Sequence, residues 1–212
     1  GVFDNLMPAA GVYISRDGGE TWSFANDQLS VKANIIDIYV DPCDPEVVYV
    51  ATGTNGLLKS SNAGGSWTAM NVATQTTALS VAVHPVNSKV VYAGLAHSGL
   101  YRSDDSGATW QPSMNGMPPE AYITDVLFDP RDPQVMYAAD VFSGVYRSTD
   151  AGRLWRQINN ALGMRAVNRL AISNDGLHLY AATEGGGVYR LDFNGEPPKP
   201  AKSAGLVAEG ER

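Results

Sequence analysis

The chain has a single cysteine, Cys43, so it forms no internal disulfide, and its three histidines, His84, His97 and His178, stand far from one another and from Cys43. No Cys/His set has the spacing of a zinc site. The ten arginines are scattered without a basic run in a chain of net charge −7, which leaves no electrostatic footprint for nucleic acid or an anionic membrane. No apolar run reaches the ~18 residues that cross a bilayer, and no basic-then-apolar leader opens the sequence. The start, Gly1-Val2-Phe3 without Met, reads as a processed or truncated N-terminus, with any export signal upstream. Charged residues make up 17% of the chain and hydrophobic ones 44%. This is the composition of a soluble folded chain able to bury a core.

What the sequence does have is a repeat. Four cassettes end in tryptophan: Ser15-Arg-Asp17-Gly-Gly19-Glu-Thr-Trp22, Ser60-Ser-Asn62-Ala-Gly64-Gly-Ser-Trp67, Ser103-Asp-Asp105-Ser-Gly107-Ala-Thr-Trp110 and Ser148-Thr-Asp150-Ala-Gly152-Arg-Leu-Trp155. The tryptophans stand 45, 43 and 45 residues apart. A fixed period of that size, with strand-like runs in every unit, marks an all-β fold: a β-propeller of four-stranded antiparallel blades.

Each unit lays over the next. Strand a is read at 35–40, 78–83, 123–128 and 167–172, each followed by an Asp/Asn/Pro turn such as Asp41-Pro-Cys-Asp-Pro45. Proline presets φ there and Asp or Asn bonds back to the local backbone. Strand b is β-branched and aromatic, as in Val47-Val-Tyr-Val-Ala51, which suits burial on both faces. Strand c opens on glycine, and strand d starts at each Trp. The expected layout is a partial blade at 1–30, whole blades at 31–73, 74–117 and 118–162, a partial blade at 163–193 and a flexible Pro/Ala/Gly/Glu tail at 194–212. About five blades are thus wholly or partly present. They read as part of a ring of about six to eight, whose missing strand comes from the absent N-terminal region or another chain. The compact alternative is a closed four-blade ring.

The cassette has a structural logic. The Asp carboxylate accepts N–H groups of its own turn, Gly takes positive φ, and Trp lays an apolar surface over the hairpin. Calcium is the competing reading. Each cassette offers one to three oxygen side chains, Asn62 replaces Asp in the second, and calcium takes six to eight ligands. No metal and no cofactor is therefore expected.

On these residues the cassettes resemble Asp-boxes, also called bacterial neuraminidase repeats. Over about residues 11–190 the unit is similar to those of sialidase-like propellers, xyloglucan-cleaving glycoside hydrolases, sortilin-type ectodomains and photosystem II assembly factors. A sialidase resemblance implies three arginines around a carboxylate, a Tyr/Glu nucleophile pair and an acid. Only Arg165 falls on the face that the resemblance implies for ligands, the one made by the b–c and d–a connections, and the sequence has no Phe-Arg-Ile-Pro element.

Candidate chemistry is correspondingly sparse. Asp37 and Asp125 take the same place in strand a of two blades, with Ser80 and Arg169 in the same column. As a carboxylate pair they are the catalytic candidates for glycoside cleavage; as a polar ring they would hold the channel together. His97, Asp140, Phe142, Arg165 and Arg169 are the ligand-binding candidates. The reading is a non-enzymatic, exported bacterial module that binds a protein or glycan, with a glycoside hydrolase fragment as the alternative.

Overall fold

A computed structural model describes residues 11–25, 34–73, 77–160 and 162–193. The expected tail, and the strand end expected in residues 1–10, lie outside these. The described residues are all-β, in five antiparallel sheets. A leading hairpin pairs β1 (Tyr13–Ile14) with β2 (Ser23–Phe24). Blade I holds β3 (Ile35–Val40), β4 (Val48–Thr52), β5 (Gly56–Ser60) and β6 (Thr68–Met70) in that order. Blade II follows with β7 (Ala78–Val83), β8 (Val91–Leu95), β9 (Gly99–Ser103) and β10 (Gln111–Pro112). Blade III repeats the order with β11 (Ile123–Phe128), β12 (Met136–Asp140), β13 (Gly144–Ser148) and β14 (Arg156–Gln157). The last sheet has three strands, β15 (Val167–Ile172), β16 (His178–Thr183) and β17 (Gly187–Asp192). These are propeller blades, and β16 pairs with β17, while β1 and β2 pair with each other.

The burial follows from the sequence. The second strands β4, β8 and β12 are buried throughout, as a β-branched, aromatic strand with cover on both faces should be. The core is divided among the blade junctions. Val12, Leu58 and Trp67 fill the first, Tyr49, Leu57, Val81 and Leu95 the second, and Tyr92, Leu100, Ile123 and Trp155 the third. Blades thus bury their faces on each other and not within themselves.

The cassettes form the hairpins between the third and fourth strands. Ser103 Oγ donates to Asp105 at 2.7 Å and accepts the Gly107 N–H at 2.8 Å. Asp105 in turn accepts the Thr109 N–H at 2.8 Å and its hydroxyl at 2.6 Å. The turn passes through two residues of positive φ, Ser106 at 61° and Gly107 at 93°, and such a conformation favours glycine at the second. Leu154 lacks the hydroxyl, so from it Asp150 accepts only the N–H, at 2.9 Å, beside the Ser148 hydroxyl at 2.7 Å.

Candidate functional site

All four first strands carry a register shift at one place: Ile35/Asp37, Ala78/Ser80, Ile123/Asp125 and Val167/Arg169. A bulge re-aims the side chain beside it, and here it aims Asp37, Ser80 and Asp125 at the neighbouring blade. Asp37 accepts the Val81 N–H at 3.1 Å, Ser80 donates to the Ile123 carbonyl at 3.3 Å, and Asp125 accepts the Leu170 N–H at 2.8 Å. Opposite Asp37, Ser80, Asp125 and Arg169 on the second strands stand Ala51, Gly94, Ala139 and Ala182, small residues that leave the bulge room.

Arg169 closes this column. Its Nη1 lies 3.3 Å from Asp37 Oδ1 and 3.7 Å from Asp125 Oδ1, and its Nη2 donates to the Ile36 carbonyl at 3.0 Å. The two distances keep these carboxylate oxygens no more than about 7 Å apart, below the upper end of the span of about 5 to 9.5 Å used by paired glycosidase carboxylates. Burial pushes the Asp125 carboxyl above its ordinary value, against the opposing pull of the Leu170 N–H and of Arg169.

The other candidates lie at the same end of the strands as the bulges, in the second-to-third-strand turns and the loops entering each blade. His97 meets Tyr122 edge-on at 5.0 Å between ring centroids and stacks on Phe142 at 6.4 Å; Tyr122 meets Phe142 at 5.9 Å. Phe142 is 67% exposed, so this trio offers an apolar ring face to solvent. His97 sits at φ 56°, a conformation that costs a residue with a β-carbon free energy and fixes the turn that carries the imidazole. Arg165 is exposed on the same side.

Asp140 belongs to the turn and not to its surface. It is 1% exposed and accepts the Phe142 N–H at 2.9 Å, the Tyr122 N–H at 3.3 Å and the Ser143 hydroxyl at 2.6 Å. Its carboxylate thereby positions two members of the trio. Tyr122 is the member that sequence reasoning passed over. It precedes strand a of its unit, at the place held by Thr77 and Ala166 elsewhere, and an aromatic there among small residues was the available signal. Among the described residues no group of three His, Cys, Asp or Glu side chains is placed to hold a metal ion, and no helix is long and apolar enough to cross a membrane.

A family model described as Sortilin, neurotensin receptor 3, matches residues 10–97 and 55–185. Among solved structures, the chain is similar to a Niastella koreensis GH74 enzyme at 25% identity and a TM-score of 0.62, over 75% of this chain and 28% of that one. An ancestral GH74 enzyme is similar at 22% identity and a TM-score of 0.70, over 82% and 25%. YCF48 bound to D1 peptide is similar at 17% identity and a TM-score of 0.55, over 79% and 53%. The last two likenesses concern the fold alone. The chain spans roughly a quarter of the length of the GH74 enzymes. No curated protein matches it by sequence.

Proposed function

The chain belongs to the Sortilin-Vps10 family of Asp-box β-propellers, and from that premise we propose that it is an exported, non-enzymatic binding module. It holds a protein or glycan partner on the face that carries His97, Tyr122 and Phe142. The observation that carries this reading is the aromatic trio, with His97 and Phe142 exposed and Tyr122 half-buried, fixed from behind by the buried Asp140. Rings held rigidly in an apolar and partly polar setting lose little entropy on binding and suit either a sugar face or an apolar side chain. A propeller of this fold, YCF48, is bound to a peptide, which supports a protein partner.

The second reading is a glycoside hydrolase fragment. It rests on Asp37 and Asp125 facing one guanidinium, and on the likeness to a GH74 enzyme. Against it, each carboxylate already accepts a backbone N–H of the adjacent blade, which gives both a structural task.

The separating experiment screens β-glucan, xyloglucan and sialoside substrates for turnover, and the same sugars with a peptide library for binding. Binding without turnover, lost in Phe142→Ala while the melting temperature is kept, is the expected result. Turnover abolished by Asp37→Asn or Asp125→Asn in a folded chain overturns it.

A further inference from the structure

His97, Tyr122 and Phe142 meet as a corner, all within blades II and III. The His97 and Phe142 planes lie within 26° of parallel, 6.4 Å apart between centroids, and Tyr122 stands at 80° to the first and 78° to the second. The repeat does not require these rings. His97 and Phe142 take one place in successive second-to-third-strand turns, and Thr54 and Gly185 hold that place in blade I and the last sheet. Tyr122 gives its carbonyl to such a turn from the place where Asn34, Thr77 and Ala166 give theirs.

Beneath the corner is a charge that the turn does not need either. Asp140 pairs across its sheet with Ile123, as Thr52 does with Ile35, Leu95 with Ala78 and Thr183 with Val167. Thr52 and Thr183 bond their turns with a neutral hydroxyl, onto the Gly56 and Gly187 carbonyls. Asp140 puts a carboxyl group there instead, 1% exposed, and among the described residues no Lys, Arg or His forms an ion pair with it. Its side-chain bonds are all accepted ones: the Phe142 and Tyr122 N–H groups on Oδ1 and the Ser143 hydroxyl on Oδ2. Behind Ser143, Tyr146 donates to the hydroxyl oxygen at 2.8 Å and Gln157 donates to Tyr146 at 2.9 Å. The relay thus points its donors toward Asp140, which suits an ionised carboxylate because that group only accepts.

A negative charge without a counter-ion in poorly screened surroundings favours a cation nearby. The rings add the same preference, since a cation within about 6 Å of an aromatic centroid is drawn to the ring face. Asp140 supplies field without contact, because it is covered. A primary ammonium brings three N–H donors that this carboxylate cannot meet, whereas a trimethylated one presents C–H surface to the rings and needs no acceptor. Glu120 is exposed two residues ahead of Tyr122, and Arg165, a cation on this side, belongs to the loop entering the last sheet.

We infer that the corner seats a quaternary ammonium carried on the methylated lysine side chain of a polypeptide partner, a ligand class that rests on the binding face proposed above. With His97 and Phe142 exposed, the corner admits the tip of a side chain whose main chain stays outside. The net charge of −7 draws a basic polypeptide toward this chain.

The test uses the full chain and labelled Gly-Ser-X-Ser-Gly peptides in which X is trimethyllysine, lysine or the neutral tert-butyl isostere of trimethyllysine. Saturable anisotropy is expected for trimethyllysine, with the isostere and lysine each about fivefold or more weaker. Phe142→Leu keeps apolar area without a ring face and should bring trimethyllysine down toward the isostere. Asp140→Asn keeps an oxygen for the two N–H groups and should narrow the same gap, with amide spectra showing the turn intact. Equal affinity for trimethyllysine and isostere in the parent chain, lost in Phe142→Ala, overturns the cation and leaves the face a binding site. No binding of trimethyllysine, or binding that Phe142→Leu does not weaken, overturns the inference outright. Choline that binds as tightly as the trimethyllysine peptide overturns the polypeptide source.

Discussion

Arg169 Nη1 stands 3.3 Å from Asp37 Oδ1, although 132 positions separate the two residues. One lies on the first strand of the last sheet and the other on the first strand of blade I. The other column members, Asp37, Ser80 and Asp125, each bond forward to the next blade. Arg169 instead reaches back to Asp37, and its second nitrogen takes the Ile36 carbonyl. The polar column therefore runs as a chain of inter-blade bonds that returns on itself through one guanidinium.

Arg169→Ala should cost about 1 kcal/mol, because the side chain is nearly half exposed and water screens the pair. The loss should shrink in high salt. A double-mutant cycle with Asp37→Asn, followed by urea denaturation, measures the coupling. A coupling that is absent at low salt would show that the contact holds nothing together.

Asp125 behaves differently because it is buried. Asp125→Ala strands the Leu170 N–H and should cost about 1–3 kcal/mol. Asp125→Asn should cost much less, because the amide oxygen it introduces can still accept that bond. Burial raises the folded-state pKa of Asp125. The stability that comes with its protonation is then fully present below the ordinary carboxylate value and is lost as pH rises through the raised one. Thermal melts should therefore show the parent losing ground to Asp125→Asn as pH rises through that window, and running parallel to it above. A difference that does not change with pH would mean that the carboxyl titrates alike in the folded and unfolded chains.

The blade frame was legible because it repeats: the Ser-Asp-Gly-Trp cassettes, the glycine that opens each third strand and the polar column all recur at one period. What the period hides is contact between units. Tyr92 and Arg102 converge on the Ala151 carbonyl of the next blade, and the sequence marks neither as a pair, because 59 and 49 positions separate them from that carbonyl. The bulges in the first strands were also invisible, although they decide where Asp37 and Asp125 point. Asp140 misled for the opposite reason. A carboxylate in a short loop reads as exposed, but two backbone N–H groups and a hydroxyl turned it inward.

Two cassette carboxylates, Asp17 and Asp105, titrate opposite to Asp125. Hydrogen bonds from the Thr109 hydroxyl and N–H, and from Ser103, hold Asp105 at about 2, and the bonds from Thr21 and Ser15 hold Asp17 at about 2. A depressed pKa gives stability that is present above the ordinary value of 3.8 and lost as pH falls through about 2. Thr109→Val should raise the Asp105 midpoint in a carboxyl NMR titration and leave Asp17 unmoved. Chelator should not change the melting temperature, since the cassette oxygens are taken up by their own turns.

Gly94 faces Ser80 across the bulge of blade II and abuts blade III. A β-carbon there would come within 2.6 Å of the Ile123 carbonyl and 2.8 Å of its Cγ2, and would crowd Ser80 Oγ. The carbonyl belongs to the next blade's first strand, so it cannot yield without opening the junction. Gly94→Ala should cost about 1–3 kcal/mol as overpacking. Ser80→Gly in the same chain should recover part of that loss in a urea titration, whereas Ser80→Gly alone should destabilise by removing the bond to Ile123.

Trp155 and Trp22 end equivalent cassettes in different surroundings. Trp155 is 1% exposed, packed with Tyr92 and Leu100 and bonded to the Ser113 carbonyl. Trp22 is 63% exposed. Trp155→Ala should therefore cost about 3–5 kcal/mol from the cavity and the lost bond, and Trp22→Ala no more than about 0.5 kcal/mol. Tryptophan fluorescence separates the two without unfolding: acrylamide should quench the Trp22 emission first, and the Trp22→Ala chain should show bluer, less quenchable emission. Equal destabilisation by the two changes would mean that Trp22 is buried in solution, in a junction with another strand or another copy of the chain.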